Sequence, residues 1–279
     1  MPRMSVTGSY LPYSRKISAL LFDDKHNPDP LWTALFMQFG QFISHDMSQA
    51  PSAHYGNEGI QCCTPDGGDT LPGPYLHHAC YPILIPPDDD FFSQYGQRCM
   101  NFVRTMTVAH PDCRLGPAEQ MNAVTHFLDL SQVYGSSEST ARSEHGYECD
   151  VKCPRGACYL AGDTRVNQNL GLTSLHTVFL RMHNWLAAGL ARINPHWDDE
   201  YLYQESRRIL IAIYQRIVYY EYLPIALGWD YCVERNLVNP GGAYGGGVDY
   251  DDKVNPSVAN EHATCAFRYS HSTVNSHSE

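Results

Sequence analysis

The residues best placed to do chemistry lie in one short run, Gln41-Phe42-Ile43-Ser44-His45-Asp46. It sits late in an apolar stretch, DPLWTALFMQFGQFISHDM. Asp29 as N-cap and Pro30 as first helical residue predict a helix from there through Met47. On such a helix Gln41 and His45 are four residues apart and share a face. Asp46 points about a quarter-turn away. An imidazole and an amide would then look into one space and a carboxylate into another. An imidazole titrates near neutrality and can move protons, while a buried carboxylate demands hydrogen bonds or a cation. The ordinary alternative is a helix end whose polar groups bond to neighbours.

A second pattern lies in VTHFLDLSQVYGS. Thr125, Phe127, Asp129 and Ser131 recur at every second position. An extended loop would point these side chains one way, with alternate carbonyls beside them. Oxygen ligands at that spacing suit Ca²⁺, which takes six to eight oxygens, and Asp46 could add a carboxylate. The competing reading is a polar turn before Tyr134-Gly135-Ser136. Further along, Arg165 stands in a loop before a predicted helix that carries His176 and His183, both read as packing residues. Phe267, Ser270 and His271 fall near the end of the last predicted helix.

The elements that must position these groups follow from pattern and composition. With 279 residues, 43% hydrophobic and 18% charged, the chain can bury a full core. A net charge of −11 with no basic cluster argues against a nucleic-acid partner. The most apolar run, ILIAIYQRIVYYEYLPIALG, contains Arg216, Glu221 and Pro224, so it reads as a buried helix and not a membrane span.

Residues 1 to 28 read as an irregular lead-in, and 50 to 90 as a long Cys-rich loop region. Gly116 and Pro117 would open a helix to about Val124. Thr173 or Ser174 would cap a helix with Leu175, Phe179, Leu186 and Leu190 as its stripe. Asp198-Asp199 would open another through Tyr222, and Asn255-Pro256 a last one. GGAYGGG reads as a flexible loop. The fold class is mainly α, with little strand.

Ten cysteines, most in Pro/Gly-rich loops, suit disulfides and an oxidising compartment. Cys99 with Cys113, and Cys158 with Cys149 or Cys153, are candidate pairs. Cys149 and Cys153 also have a zinc-ligand gap, but no second pair follows. The opening stretch lacks the apolar core of a secretory signal.

Taken together, FGQFISHD at 39–46, VTHFLDLSQVYGS at 124–136, AGDTRVNQNLGLTSLHTVFLRMHN at 161–184 and FRYSHST at 267–273 resemble the animal haem peroxidase superfamily. CYPILIPPDDDFF and QRCMNFVR are similar to its arthropod chorion-peroxidase and peroxinectin-type members in particular. The resemblance covers nearly the whole chain. It implies helices around a central haem with long disulfide-stapled loops, and a secreted enzyme that reduces H₂O₂ and oxidises halide or phenolic donors. By matching position, His45 would be the distal histidine, Gln41 the distal glutamine, Arg165 the distal arginine and His271 the axial ligand of the haem iron. Asp46, Thr125, Phe127 through its carbonyl, Asp129 and Ser131 would bind calcium.

Some members of the superfamily bind haem through two esters. Their carboxylates are replaced here by Ser44 and Gln168, so the haem b is expected to be noncovalent. The superfamily's fold runs well past the proximal histidine, so the chain is expected to be a partial domain, 1–279, of a longer polypeptide. The resemblance also admits a peroxinectin-like adhesion protein and a cyclooxygenase-type lipid oxygenase. Retention of His45, Arg165 and His271 together favours the peroxidase.

Overall fold

The computed structural model describes residues 4–22, 25, 27–56, 58–108, 113, 116, 118–143, 159–241 and 252–274. The chain forms two compact units, one from Met1–Pro28 with Ala50–Met121 and the other from Asp29–Gln49 with Asn122–Glu279.

The first unit holds helix α1, Ser14–Leu21, where the sequence predicts irregular chain. Three two-stranded antiparallel ladders follow. β1, His54–Tyr55, pairs with β2, Glu58–Gly59; β3, Ile83–Leu84, with β4, Cys99–Met100; and β5, Thr107–Val108, with β6, Glu119–Gln120. β6 occupies part of the stretch where Gly116 and Pro117 suggest a helix. No apolar face runs through those residues to bury a helix, and pairing with β5 satisfies the backbone instead.

Two disulfides hold the unit, Cys62–Cys80 and Cys63–Cys99, separated by 18 and 36 residues. Loops of that size are each worth about 3 kcal/mol by restricting the unfolded chain. The expected Cys99–Cys113 bridge is therefore wrong. Cys99 pairs with Cys63 at 5.8 Å Cα to Cα, its N–H bonded to the Gly67 carbonyl in the turn after Cys63, and Cys113 is an exposed free thiol. Cys149, Cys153 and Cys158, with their pairings and the zinc reading, lie outside the described residues, as does the glycine run from Gly242 on. Asp89 ties this unit together. Its carboxylate accepts from Arg15 Nε at 2.5 Å and Nη2 at 3.0 Å, and from the backbone N–H groups of Phe91 and Phe92. Those bonds, that of Arg15 foremost, hold its pKa down at about 2.

The second unit is helical. It contains α2 (Ala34–Met47), α3 (Ser131–Tyr134), α4 (Glu138–Ser143), α5 (Leu170–Ile193), α6 (Asp199–Ile217), α7 (Leu223–Leu227), α8 (Trp229–Glu234) and α9 (Asn260–Thr264). α2 starts four residues later than its sequence signals suggest. Thr33 is its cap, the hydroxyl accepting from Phe36 N–H, while Asp29 caps a separate turn through Leu31 and Trp32. α5 starts earlier than expected, capped by Asn169 through Leu172 N–H, so Thr173 and Ser174 lie inside it.

α6 opens on Asp198, as its sequence implies, and continues as a π-helical turn, Val218–Tyr222. The last predicted helix splits into α9 and a 3₁₀ segment, Ala266–Thr273. α2 packs on α5 and α5 on α6. Their core centres on Phe42, fully buried. Its ring stacks on Phe179 with centroids 5.0 Å apart and meets His176 and Tyr214 edge-on. Aromatic pairs of this kind add about 0.5–1.5 kcal/mol each beyond their burial. The seam therefore fixes the rotation of α2, and with it the direction of the residues that follow Phe42. Among the described residues no helix is long and apolar enough to cross a membrane.

Candidate active site

α2 carries Gln41, His45 and Asp46 at its C-terminal end. Because Phe42 and Ile43 fill the core, the helical period turns Gln41 and His45 to one side and Asp46 toward the loop before α3.

His45 is buried, and its Nδ1 has no hydrogen-bond partner. Burial is the main force on its charge. Arg165, His176 and Arg268 also oppose protonation and Asp163 favours it, and the balance drops the pKa to about 3. His45 is therefore a neutral imidazole at physiological pH.

Arg165 stands in the 3₁₀ turn Thr164–Asn167. Its guanidinium forks onto Asp163, with Nε to Oδ1 at 2.8 Å and Nη2 to Oδ2 at 2.5 Å. It also donates to two carbonyls at the end of α2, Nη2 to His45 at 3.1 Å and Nη1 to Ser48 at 3.2 Å. Of its five N–H groups, these bonds use four and leave one on Nη1. Asp163 is buried, which raises its pKa, but Arg165's hydrogen bonds and charge outweigh this and leave it lowered.

Gln41 sits in a web of amides. Its Oε1 accepts from Gln38 Nε2 and Asn169 Nδ2, each at 2.9 Å, and its Nε2 donates to Gln168 Oε1 at 3.0 Å. Gly171 permits this. A Cβ there would come within 2.6 Å of Gln38 Oε1. Gln168 thus meets Gln41 directly, although its side chain is otherwise exposed. Ser44 is half-buried, and its carbonyl accepts from Ser48.

Asp46 is fully buried. Its carboxylate accepts from Leu130 N–H at 3.1 Å, Ser131 N–H at 2.7 Å and Ser131 Oγ at 2.9 Å. Leu130 adopts positive φ, 57°, which turns its N–H and the next inward. Thr125 Oγ1 bonds to Asp129 Oδ1 at 2.8 Å and to Ser131 Oγ at 3.0 Å. Thr125, Asp129, Ser131 and Asp46 therefore meet in one place. The Phe127 side chain is about half exposed, which leaves its carbonyl as the group it can offer.

Burial and the nearby Asp129 charge push the Asp46 carboxyl up to about 7, against the pull of its hydrogen bonds. A cation would relieve that strain, and an all-oxygen donor set with two carboxylates fits calcium. Among the described residues no three His, Cys, Asp or Glu side chains cluster tightly enough to hold a metal, so hydroxyls and a carbonyl would have to complete this site.

His271 lies exposed on the 3₁₀ segment Ala266–Thr273. That segment packs on α2. Tyr269 meets Trp32 edge-on and shares a 3.0 Å hydroxyl bond with Tyr222, and Arg268 is near enough to act on the charge of His45. Gly40 makes room for Tyr222, whose hydroxyl would lie 2.5 Å from an added Cβ. The segment of His271 and the helix of His45 are thus neighbours. An exposed imidazole on one segment, and a neutral buried imidazole and a fixed cation beside the neighbouring helix, are side chains of the kind that fit a haem. Sequence reasoning passed over Asp163, Gln38 and Asn169. Their partners lie two to 128 residues away, and only the Asp-x-Arg spacing of the first could have flagged it. His176 is a packing residue as expected, though its Nε2 is buried without a partner.

The animal haem peroxidase family model matches residues 1–147 and 142–279. Chorion peroxidase of Aedes aegypti is 46% identical across 98% of this chain and 37% of its own length. A peroxidase of Drosophila melanogaster is 42% identical over 98% and 43%, and human lactoperoxidase 34% over 98% and 41%. The chain therefore spans about two-fifths of the length of these relatives. Among solved structures, peroxidase A of Dictyostelium discoideum superposes with a TM-score of 0.68 at 28% identity, covering 93% of this chain and 51% of that one. A fatty acid alpha-dioxygenase of Arabidopsis thaliana shares the fold at 18% identity, with a TM-score of 0.56 over 77% of this chain and 31% of its own. Matched from end to end, with its helical unit and cysteine-stapled loops in that fold, the chain belongs to the animal haem peroxidase family.

Proposed function

We propose that the polypeptide carrying this chain is a haem peroxidase that reduces H₂O₂ and oxidises halide or phenolic donors. The observation that carries this is His45, a buried and uncharged imidazole whose backbone is gripped by Arg165. His271 would hold the iron, with Gln41, His45 and Arg165 on the peroxide side. Bound haem supplies a redox-active iron for the two-electron reduction of peroxide.

The protein's part is proton movement and charge. Nδ1 of His45 is closed off from solvent, so Nε2 is the nitrogen that exchanges a proton with substrate. A neutral ring can take the proton from H₂O₂ and return it to the departing oxygen, which leaves as water. Arg165's charge, with its remaining N–H, favours the oxygen that gathers negative charge. Gln41, its amide fixed by three partners, can orient peroxide or water. Asp46, Thr125, Phe127, Asp129 and Ser131 would hold calcium behind this helix end. Two disulfides suit an oxidising, extracellular setting.

The full natural polypeptide is expected to oxidise guaiacol, iodide or bromide with H₂O₂; a haem-loaded protein inert toward all three would overturn the reading. Ser44 and Gln168 offer no carboxylate for an ester. Acid–organic extraction should therefore remove all the haem, and colour remaining on the chain would show a covalent link.

A further inference from the structure

We propose that Asp163 is the positioning residue of this site: it holds the Arg165 guanidinium, and through it the carbonyl end of α2 that presents His45. The inference rests on the peroxidase reading and adds a residue which that reading does not use.

Three observations carry it. The Asp163 side chain is 2% exposed, so its charge is not a solvated surface charge and must be matched from inside. It spends both oxygens on one partner. Oδ1 accepts from Arg165 Nε and from Arg165 backbone N–H, each at 2.8 Å, and Oδ2 from Nη2. A side-on fork of this kind fixes the plane as well as the place of the guanidinium. Once that plane is set, the remaining edge meets the carbonyls of His45 and Ser48 at the C-terminus of α2, where helix carbonyls lack internal partners. The order is therefore Asp163, then Arg165, then the backbone of His45 itself.

Asp163 is itself placed by packing. Gly162, just before it, touches the turn after the candidate calcium loop. A Cβ on Gly162 would lie 2.1 Å from Gly135 N and 2.4 Å from Ser131 O, so only glycine lets the chain pass. Gly162 N–H also donates to the Val133 carbonyl at 3.1 Å. On the far side, Thr173 Oγ1 on α5 bonds to the Val166 carbonyl at 2.7 Å and anchors the 3₁₀ turn. Asp163 thus stands between two fixed points, and its carboxylate converts their rigidity into a fixed guanidinium.

The test uses the haem-loaded full natural polypeptide and four proteins: wild type, Asp163→Asn, Arg165→Gln and the double variant. Asparagine keeps the shape but loses the charge and turns an N–H₂ toward Arg165. The readouts, normalised to haem, are the rate constant for reaction with H₂O₂, cyanide affinity from the Soret shift, and the KM for guaiacol. Asp163→Asn should slow reaction with H₂O₂ roughly 10–10²-fold, the cost of a misplacement near 1 Å. It should also weaken cyanide binding and leave the guaiacol KM unchanged. In the Arg165→Gln background the same change should cost less than twofold more, because Asp163 acts through Arg165.

An unchanged H₂O₂ rate in Asp163→Asn, or effects that simply multiply in the double variant, would overturn the proposal. Should Asp163→Asn fail to fold, Asp163→Glu serves. It keeps the charge one methylene too far out, and is expected to hold haem with a reduced H₂O₂ rate; wild-type rates there would equally overturn it. If instead His45→Ala leaves the H₂O₂ rate intact, the peroxidase reading fails, whatever Asp163 does.

Discussion

Replacing His45 with alanine in the full natural polypeptide should cut the reaction with H₂O₂ by roughly 10²–10⁴-fold, the usual worth of a positioned general acid–base group. The structure also says why this loss should not be a loss of fold. The ring is buried with Nδ1 unpartnered, so its removal leaves no hydrogen-bond donor orphaned by Nδ1 and relieves a desolvated polar atom. Arg165 grips the His45 carbonyl and not its side chain, so the alanine variant keeps that bond. Haem content should hold too, since the expected axial ligand, His271, lies on another segment. The measurement is a stopped-flow rate per haem beside a melting curve. A normal rate would sink the mechanism. A low rate with a collapsed melting transition would assign His45 to structure instead.

How much of this was legible in the sequence divides along local and long-range physics. The helical spacing of Gln41 and His45, and the quarter-turn to Asp46, follow from the period of a helix, and α2 obeys it. The every-second-position pattern was readable only in part: Thr125, Asp129 and Ser131 do meet, at 2.8–3.0 Å, but through a bent and not an extended loop, with the Phe127 side chain half exposed. Helix ends were less readable. Asp29-Pro30 is a strong start signal, yet it caps only a turn, because the bonds of Asp29 stop at Leu31 and Trp32. The π turn at Val218–Tyr222 has no local signature. It exists where Tyr222 stacks on Phe36, 4.7 Å away, against the space left by Gly40.

Disulfide pairing was beyond reach for the same reason. Cys63 meets Cys99 because the carbonyl of Gly67, in the turn just after Cys63, accepts from the N–H groups of Arg98 and Cys99, a long-range fact. Position-matching to the superfamily named candidate residues for the site, but not what holds them. The grip of Asp163 on Arg165 and the amide web around Gln41 are contacts that only the folded chain displays.

The second large effect concerns Asp46. Its alanine variant strips the buried Leu130 N–H of its partner and removes two bonds to Ser131, whose N–H keeps Asp129 Oδ1 at 3.1 Å and whose hydroxyl keeps the Asp46 carbonyl at 3.1 Å. The orphaned Leu130 donor should cost about 1–3 kcal/mol and each lost bond to Ser131 about 1 kcal/mol more, enough to threaten a marginally stable unit. Calcium would add to this. A cation at a thousandfold excess over its dissociation constant stabilises the folded state by about 4 kcal/mol. Wild type should therefore melt several degrees lower in EGTA than in calcium, and Asp46→Ala should melt low in both. Asp46→Asn separates the two contributions. It keeps an oxygen to accept from the amides but removes the charge, so it should retain most of the apo stability and lose the response to calcium. A wild type indifferent to EGTA would remove calcium from the account while leaving the hydrogen-bond argument standing.

Because Asp46 follows His45 on the last turn of α2, the two losses should also travel together. Calcium removal should slow the reaction with H₂O₂ at a temperature where the protein is still folded. The helix end that carries His45, the proposed acid–base imidazole, is the same one whose carboxylate anchors the loop.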